Sequence, residues 1–99
     1  MKDRFSRHGK FYVYIIECAD GTYYTGYTNN LEKRIQRHNA GFASRYTRVK
    51  LPVKLVWNKA CRNQRFAMRV EKTIKGLKRE DKERIVHGSR LDNVLRKYK

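Results

Sequence analysis

Tyr14 and Tyr24, Arg34 and His38, and Glu71 are the residues of this 99-residue chain whose types and spacing could do chemistry. The two tyrosines flank Asp20-Gly21, a pair that favours a tight turn. Arg34 and His38 stand four residues apart, the spacing that puts two side chains on one helical face. A guanidinium forks onto phosphate or carboxylate oxygens, while phenols and imidazoles exchange protons. Hydrolysis of a phosphodiester needs an in-line nucleophile, charge neutralisation and help for the leaving group. These residue types can serve it, provided the fold brings them together.

The surrounding sequence indicates how it would do so. Residues 11–16 are a continuous β-branched and aromatic run, which reads as a buried strand, and strand-like composition resumes over 22–27. With a two-residue loop of Asp20-Gly21, Tyr14 would pair with Tyr27, and Tyr14 and Tyr24 would lie on opposite faces. With a three-residue loop of Ala19-Asp20-Gly21 and Gly21 left-handed, Tyr14 faces Gly26, Ile16 faces Tyr24, and both tyrosines share a face. Glycine in the third loop position favours this second register. Asn29 with Glu32 resembles a capping box, placing a helix start near Asn30; Gly41 suits its C-terminal end. On that helix Leu31 and Ile35 form the core stripe. At about 100° per residue Arg34 and His38 fall about 40° apart beside it, while Lys33, Gln36 and Arg37 point to solvent. A basic loop over 42–51 leads to Pro52 and a strand over 53–59, with Leu55 and Trp57 on one face. A helix over 63–78 buries Phe66, Val70, Ile74 and Leu77, and a short helix spans 80–86. Glu71 borders that stripe, where an i,i+4 ion pair with Lys75, worth a few tenths of a kcal/mol, is one reading of it.

The order β-β-α-β-α-α gives an α+β domain with a central three-stranded sheet flanked by helices. Residues 1–10 read as a flexible N-terminus, 11–87 as the domain and 88–99 as a basic C-terminal tail. Twenty-five Lys and Arg against nine Asp and Glu give a net charge of +16 and a pI near 10.3. Self-repulsion on that scale points to a polyanionic partner. The dispersal of the cations suits a phosphate backbone better than one small anion. Arg37, Arg45, Tyr46, Arg48, Lys50 and Lys75 are the candidate nucleic-acid contacts. Tyr12, Tyr23 and Tyr46 read as packing residues or as surfaces on which bases stack. Cys18 and Cys61 form no CxxC pair and read as buried thiols rather than zinc ligands or a disulfide. No signal peptide or apolar run of membrane-spanning length is present, so a cytoplasmic location without membrane contact is expected. His8 and His87 carry no assigned role.

Tyr12-Val13-Tyr14 and Tyr24-Thr25-Gly26, followed by the helix of Arg34 and His38 and by Ala67-Met68-Arg69-Val70-Glu71, resemble the paired motifs and later glutamate of GIY-YIG nucleases. Each motif is short; their order, spacing and context over residues 11–86 carry the resemblance. The first motif lacks the family's Gly and Ile. The resemblance implies a metal-dependent endonuclease acting on nucleic acid, most simply DNA of the repair or recombination type. Glu71 would hold one Mg2+ or Mn2+, Arg34 would bridge the scissile phosphate, and Tyr14 and Tyr24 would orient or deprotonate water. His38 would supply or relay a proton. A free tyrosine near pKa 10 is a poor base at neutral pH, so Arg34, the metal and other cations would have to lower that value. Larger members carry a second domain for target recognition, a task that here could fall to a protein partner. The rival reading is a non-catalytic basic module that binds nucleic acid. A structural ribosome-associated protein would explain the charge but not the polar residues at the core's edge.

Overall fold

The computed structural model describes residues 11–96, the side chain of Asp92 apart. The expected N-terminal segment 1–10 and the last three residues of the expected tail lie outside the described residues. β1 (Phe11–Glu17) is the central strand of a three-stranded antiparallel sheet, between β2 (Tyr23–Thr28) and β3 (Lys54–Cys61). Its apolar run follows from that place: residues 12–16 are buried on both faces.

The β1–β2 hairpin has the three-residue register. Tyr14 pairs with Gly26 and Ile16 with Tyr24, which puts both tyrosines on one face. Gly21 sits at φ +85°, the left-handed region that glycine enters without a Cβ penalty. Across the loop the Cys18 N–H donates to the Thr22 carbonyl at 2.8 Å. The Thr22 hydroxyl and N–H both donate to Asp20 Oδ1.

β3 departs from the expected pattern. A bulge against β1 pairs Ile15 with Trp57 but Ile16 with Leu55, leaving Val56 over. Leu55 and Trp57, expected on one face, are therefore sent to opposite faces. Leu55 packs with Tyr12, Tyr14 and Ile16, and Trp57 with Val13 and Ile15.

One helix covers each face. α1 (Leu31–Asn39) buries Leu31 against the tyrosine face, and α3 (Gln64–Lys75) buries Ala67, Val70 and Ile74 against the other. Leu31, Val70 and Ile74 each contribute about 1.5–3 kcal/mol by burial. The α1 cap is Asn30, whose side chain accepts from the Lys33 N–H at 3.1 Å, one residue later than the expected Asn29 and Glu32 pair. Gly41 follows the helix at φ +85°, as its position suggests. At the far end, the Asn39 amide exchanges two hydrogen bonds with the Val53 backbone, at 2.7 and 3.1 Å, fixing α1 to the entry of β3. On α3, Phe66 is 41% exposed instead of lying in the buried stripe. The stripe runs through Ala67, Val70 and Ile74, and Phe66 stands about 100° from Ala67 around the axis.

Two further elements were not apparent in the sequence. Ser44 caps a single helical turn, α2 (Arg45–Arg48), inside the expected 42–51 loop. After α4 (Arg79–Val86), close to the expected 80–86, residues of the expected tail form α5 (Leu91–Leu95). Val94 of α5 is buried with Leu77 and Ile85 in a small third cluster. Cys18 and Cys61 are free, buried thiols in the clusters on opposite faces of the sheet. Among the described residues no helix is long and apolar enough to cross a membrane.

Candidate active site at the edge of the sheet

β2 is an edge strand, and Gly26 makes that edge usable. A Cβ built on Gly26 would lie 2.6 Å from the Tyr14 hydroxyl oxygen and 2.8 Å from its Cζ. Any larger residue would displace the ring. With glycine there, Tyr14 crosses over β2 and its hydroxyl reaches a cleft shared with Tyr24, Arg34 and Glu71. α1 supplies Arg34 from the flank of its buried face, and α3 supplies Glu71 from its own flank. Gln64 Nε2 donates to the Tyr27 hydroxyl at 3.2 Å, tying the start of α3 to the edge strand.

Behind the cleft, His38 is 1% exposed and lies between two hydroxyls. Its Nε2 is 2.9 Å from the Tyr14 hydroxyl and its Nδ1 is 2.9 Å from Thr47 Oγ1. Thr47 Oγ1 in turn points its proton at the Ser44 carbonyl, 3.5 Å away. A neutral imidazole between two hydroxyls carries one proton, and the tautomer in which Nδ1–H donates to Thr47 leaves Nε2 to accept from the Tyr14 O–H. Burial, and secondarily the positive charge of Arg34, hold His38 down to about 4, so it is neutral at physiological pH.

Burial pushes the Tyr14 phenol up to about 12, against the pull of the adjacent Arg34 guanidinium. Tyr24 and Glu71 add to the rise. The expectation is that Arg34, a metal and other cations lower a tyrosine's pKa; for Tyr14, desolvation outweighs the guanidinium. Tyr14 therefore holds its proton at neutral pH.

Tyr24 is held by rings on both sides. Its centroid is 5.3 Å from that of His38 in an edge contact and 6.0 Å from that of Tyr46 in a stack. Lys50 Nζ sits 3.9 Å over the Tyr46 ring and 3.1 Å from Asp20 Oδ2. Contacts with Thr22 first and then with Lys50 lower the Tyr46 pKa. Of the residues expected to touch nucleic acid, Arg37, Arg45 and Arg48 are exposed cations on α1 and α2. Tyr46 stacks on Tyr24 and is covered by Lys50, and Lys75 lies 3.3 Å from Glu71 Oε2.

The donor set permits one mode of metal binding. Among the described residues no group of three or more His, Cys, Asp and Glu could enclose an ion. Glu71 is the one acidic side chain lining the cleft, with its side chain 18% exposed. A single carboxylate facing water and a substrate phosphate fits a hard divalent ion that keeps most of its waters. It does not fit a protein cage.

Thr47 is the supporting residue that sequence reasoning did not single out; Gly26 was read as the partner of Tyr14, but neither the room it leaves for the ring nor the bonds of Asn39 to Val53 were legible. Ser44, a cap residue three positions before Thr47, was the available signal for α2.

Comparison with known proteins places the chain in a family. A family model described as the GIY-YIG catalytic domain matches residues 10–84. A UPF0213 protein of Bacillus licheniformis is 45% identical over 83 residues, covering 84% of this chain and 86% of that one. One from the archaeon Natronomonas pharaonis is 48% identical over 75 residues, covering 76% and 88%. The solution NMR structure of a UPF0213 protein from Bacillus halodurans is similar at TM-score 0.53 and 40% identity, covering 88% of this chain and 94% of that one. A second NMR structure, of a protein from E. faecalis, gives TM-score 0.56 at 31% identity over 83% and 88%. With the family model spanning most of its length, this chain belongs to the GIY-YIG family.

Proposed function

We propose that the edge cleft hydrolyses phosphodiester bonds in nucleic acid, with DNA as substrate and one Mg2+ or Mn2+ as cofactor. The GIY-YIG family is a nuclease superfamily, and that is the general setting of the reading. The observation that carries it is the hydrogen-bonded line from Thr47 through neutral His38 to the Tyr14 hydroxyl, ending in a cleft that also holds Arg34 and Glu71.

Arg34 binds the scissile phosphate through its forked N–H groups and offsets charge developing there. Tyr14 and Tyr24 orient the attacking water. As the water's oxygen bonds to phosphorus and the ester P–O bond opposite it breaks, Tyr14 receives the water's proton on oxygen while its own passes transiently to His38 Nε2, whose lone pair faces it. The departing oxygen takes a proton from solvent, and His38 returns its own through the same bond. Thr47 keeps the imidazole in the tautomer that can accept. When bound, the ion would be held by Glu71 and would supply Lewis-acid polarisation of the phosphate. Arg37, Arg45 and Arg48 take the flanking phosphates.

One observation favours the alternative, a non-catalytic binding module: Glu71 has an ion-pair partner in Lys75 at 3.3 Å. A cleavage assay with and without Mg2+ or Mn2+, across duplex, flap, branched and single-stranded DNA and RNA, separates the two. Metal-dependent cutting of at least one DNA form is expected. Tight binding with no cutting under any metal would transfer the site to the binding module.

A further inference from the structure

The outward face of α3 carries a second basic surface that the cleft does not use. Arg62, Asn63, Arg65, Phe66 and Arg69 line a shallow concavity floored by Ala60, and Met68 and Lys72 extend it along the helix. Among the described residues, none of Arg62, Arg65, Arg69 and Lys72 makes an ion pair. The single acid between positions 60 and 75 is Glu71, which lines the cleft instead. Set among these cations are two large apolar side chains, Phe66 at 41% and Met68 at 49% exposure, neither of which belongs to a core cluster.

We propose that this shelf binds an unpaired stretch of the DNA strand next to the scissile phosphate, with Phe66 stacking on a base and the arginines on phosphates. The inference rests on the nuclease reading and narrows its substrate to DNA with a single-stranded segment. Cations alone would track the backbone of a duplex, paired or not. A half-exposed aromatic ring among unpaired arginines is what bases require when they are free to leave the helix. The place is also suitable. Gln64 lines both the cleft and the shelf. Seven residues of helix separate it from Glu71, about 10 Å at 1.5 Å per residue, a span of no more than a few nucleotides.

Fluorescence anisotropy in EDTA, where no cutting occurs, tests the shelf directly. The probes are a labelled single-stranded DNA, a blunt DNA duplex and the same duplex with a single-stranded extension. Phe66→Ala should weaken the single strand and the extended duplex by between about five- and a hundredfold, and leave the blunt duplex within about twofold. Phe66→Trp should restore the affinity, because stacking needs a ring rather than phenylalanine itself. Since Phe66 is exposed, neither variant should disturb folding, and circular dichroism checks this.

Equal affinities of wild type and Phe66→Ala for the single strand would overturn the shelf and leave the nuclease reading standing. Loss of the same size on the blunt duplex would also overturn it. A Phe66-dependent complex with poly-glutamate, unaffected by competing oligonucleotide, would assign the face to an acidic protein instead. If wild type binds none of the three DNA probes, the nuclease reading falls along with the shelf.

Discussion

Gly26→Ala adds one methyl group and should be among the most damaging single substitutions at the sheet edge. In an open strand the change would help, because glycine costs roughly 0.5–1 kcal/mol relative to alanine in a strand interior. Here the new Cβ would stand 2.6 Å from the Tyr14 hydroxyl oxygen and 2.8 Å from Cζ. Tyr14 is 1% exposed and has nowhere to yield without moving its hydroxyl. Overpacking of this kind costs about 1–3 kcal/mol. Displacing the hydroxyl also breaks the 2.9 Å bond to buried His38, at a further cost of about 1–3 kcal/mol for the partner left unsatisfied. With the intrinsic gain of alanine over glycine subtracted, the expected loss is about 1–5 kcal/mol, read as a lower urea midpoint with an unchanged slope. Because the damage passes through Tyr14, the double-mutant cycle is decisive. In a Tyr14→Ala background, Gly26→Ala should be neutral or stabilising by up to about 1 kcal/mol. A Gly26→Ala protein within about 0.5 kcal/mol of wild type, or an equal loss in both backgrounds, would refute the reasoning.

Thr47→Val keeps the shape but removes the hydroxyl that sets the His38 tautomer; about 1–3 kcal/mol should be lost, and 15N NMR should show Nδ1–H no longer dominant, whereas Thr47→Ser stays near wild type. Acid should destabilise the fold through His38. Its pKa falls from 6.5 unfolded to about 4 folded, so stability is full above about pH 6.5. It declines by up to about 3 kcal/mol as pH drops to 4, a limb that His38→Gln should flatten in pH-dependent urea unfolding. Tyr14 works in the other direction, since its pKa rises from 10.0 to about 12. Stability present below pH 10 is lost as pH climbs through 12, and Tyr14→Phe should remove that limb. Nucleic-acid affinity should fall linearly in log–log coordinates with salt and show little sequence preference; a salt-insensitive complex would contradict the phosphate-contact account.

Much of this was legible in the residues, for identifiable reasons. The register of the hairpin followed from one glycine in a three-residue loop, because strand side chains alternate and a slip of one flips every face. The helical positions of Arg34, His38 and Glu71 followed from their place beside apolar stripes. Three features were not legible. The bulge that separates Leu55 from Trp57 depends on how β3 meets β1, and local periodicity carries no trace of it. Phe66 matched the helical spacing of Val70 and Ile74 equally well on paper, and only the packing of α3 on the sheet decides that Ala67 faces inward. The depth of His38 was hidden because α2, which closes over it with Thr47, is a single turn. Burial then set the acid–base character of the site: the desolvation of Tyr14 outweighs the guanidinium beside it, a balance that residue spacing does not express.

The central claim is that Glu71 serves a metal and not merely Lys75. Glu71→Gln tests it, because the amide keeps the size and loses the charge. Surface pairing with Lys75 contributes at most about 1 kcal/mol, so the fold should survive. Cleavage by the wild-type protein in Mg2+ or Mn2+ should drop by orders of magnitude in the variant, while affinity for the same DNA holds or rises slightly as a negative charge leaves a basic cleft. Arg34→Ala, by contrast, should weaken cleavage and affinity together. A Glu71→Gln protein that cuts as fast as wild type under the same metal would contradict the account.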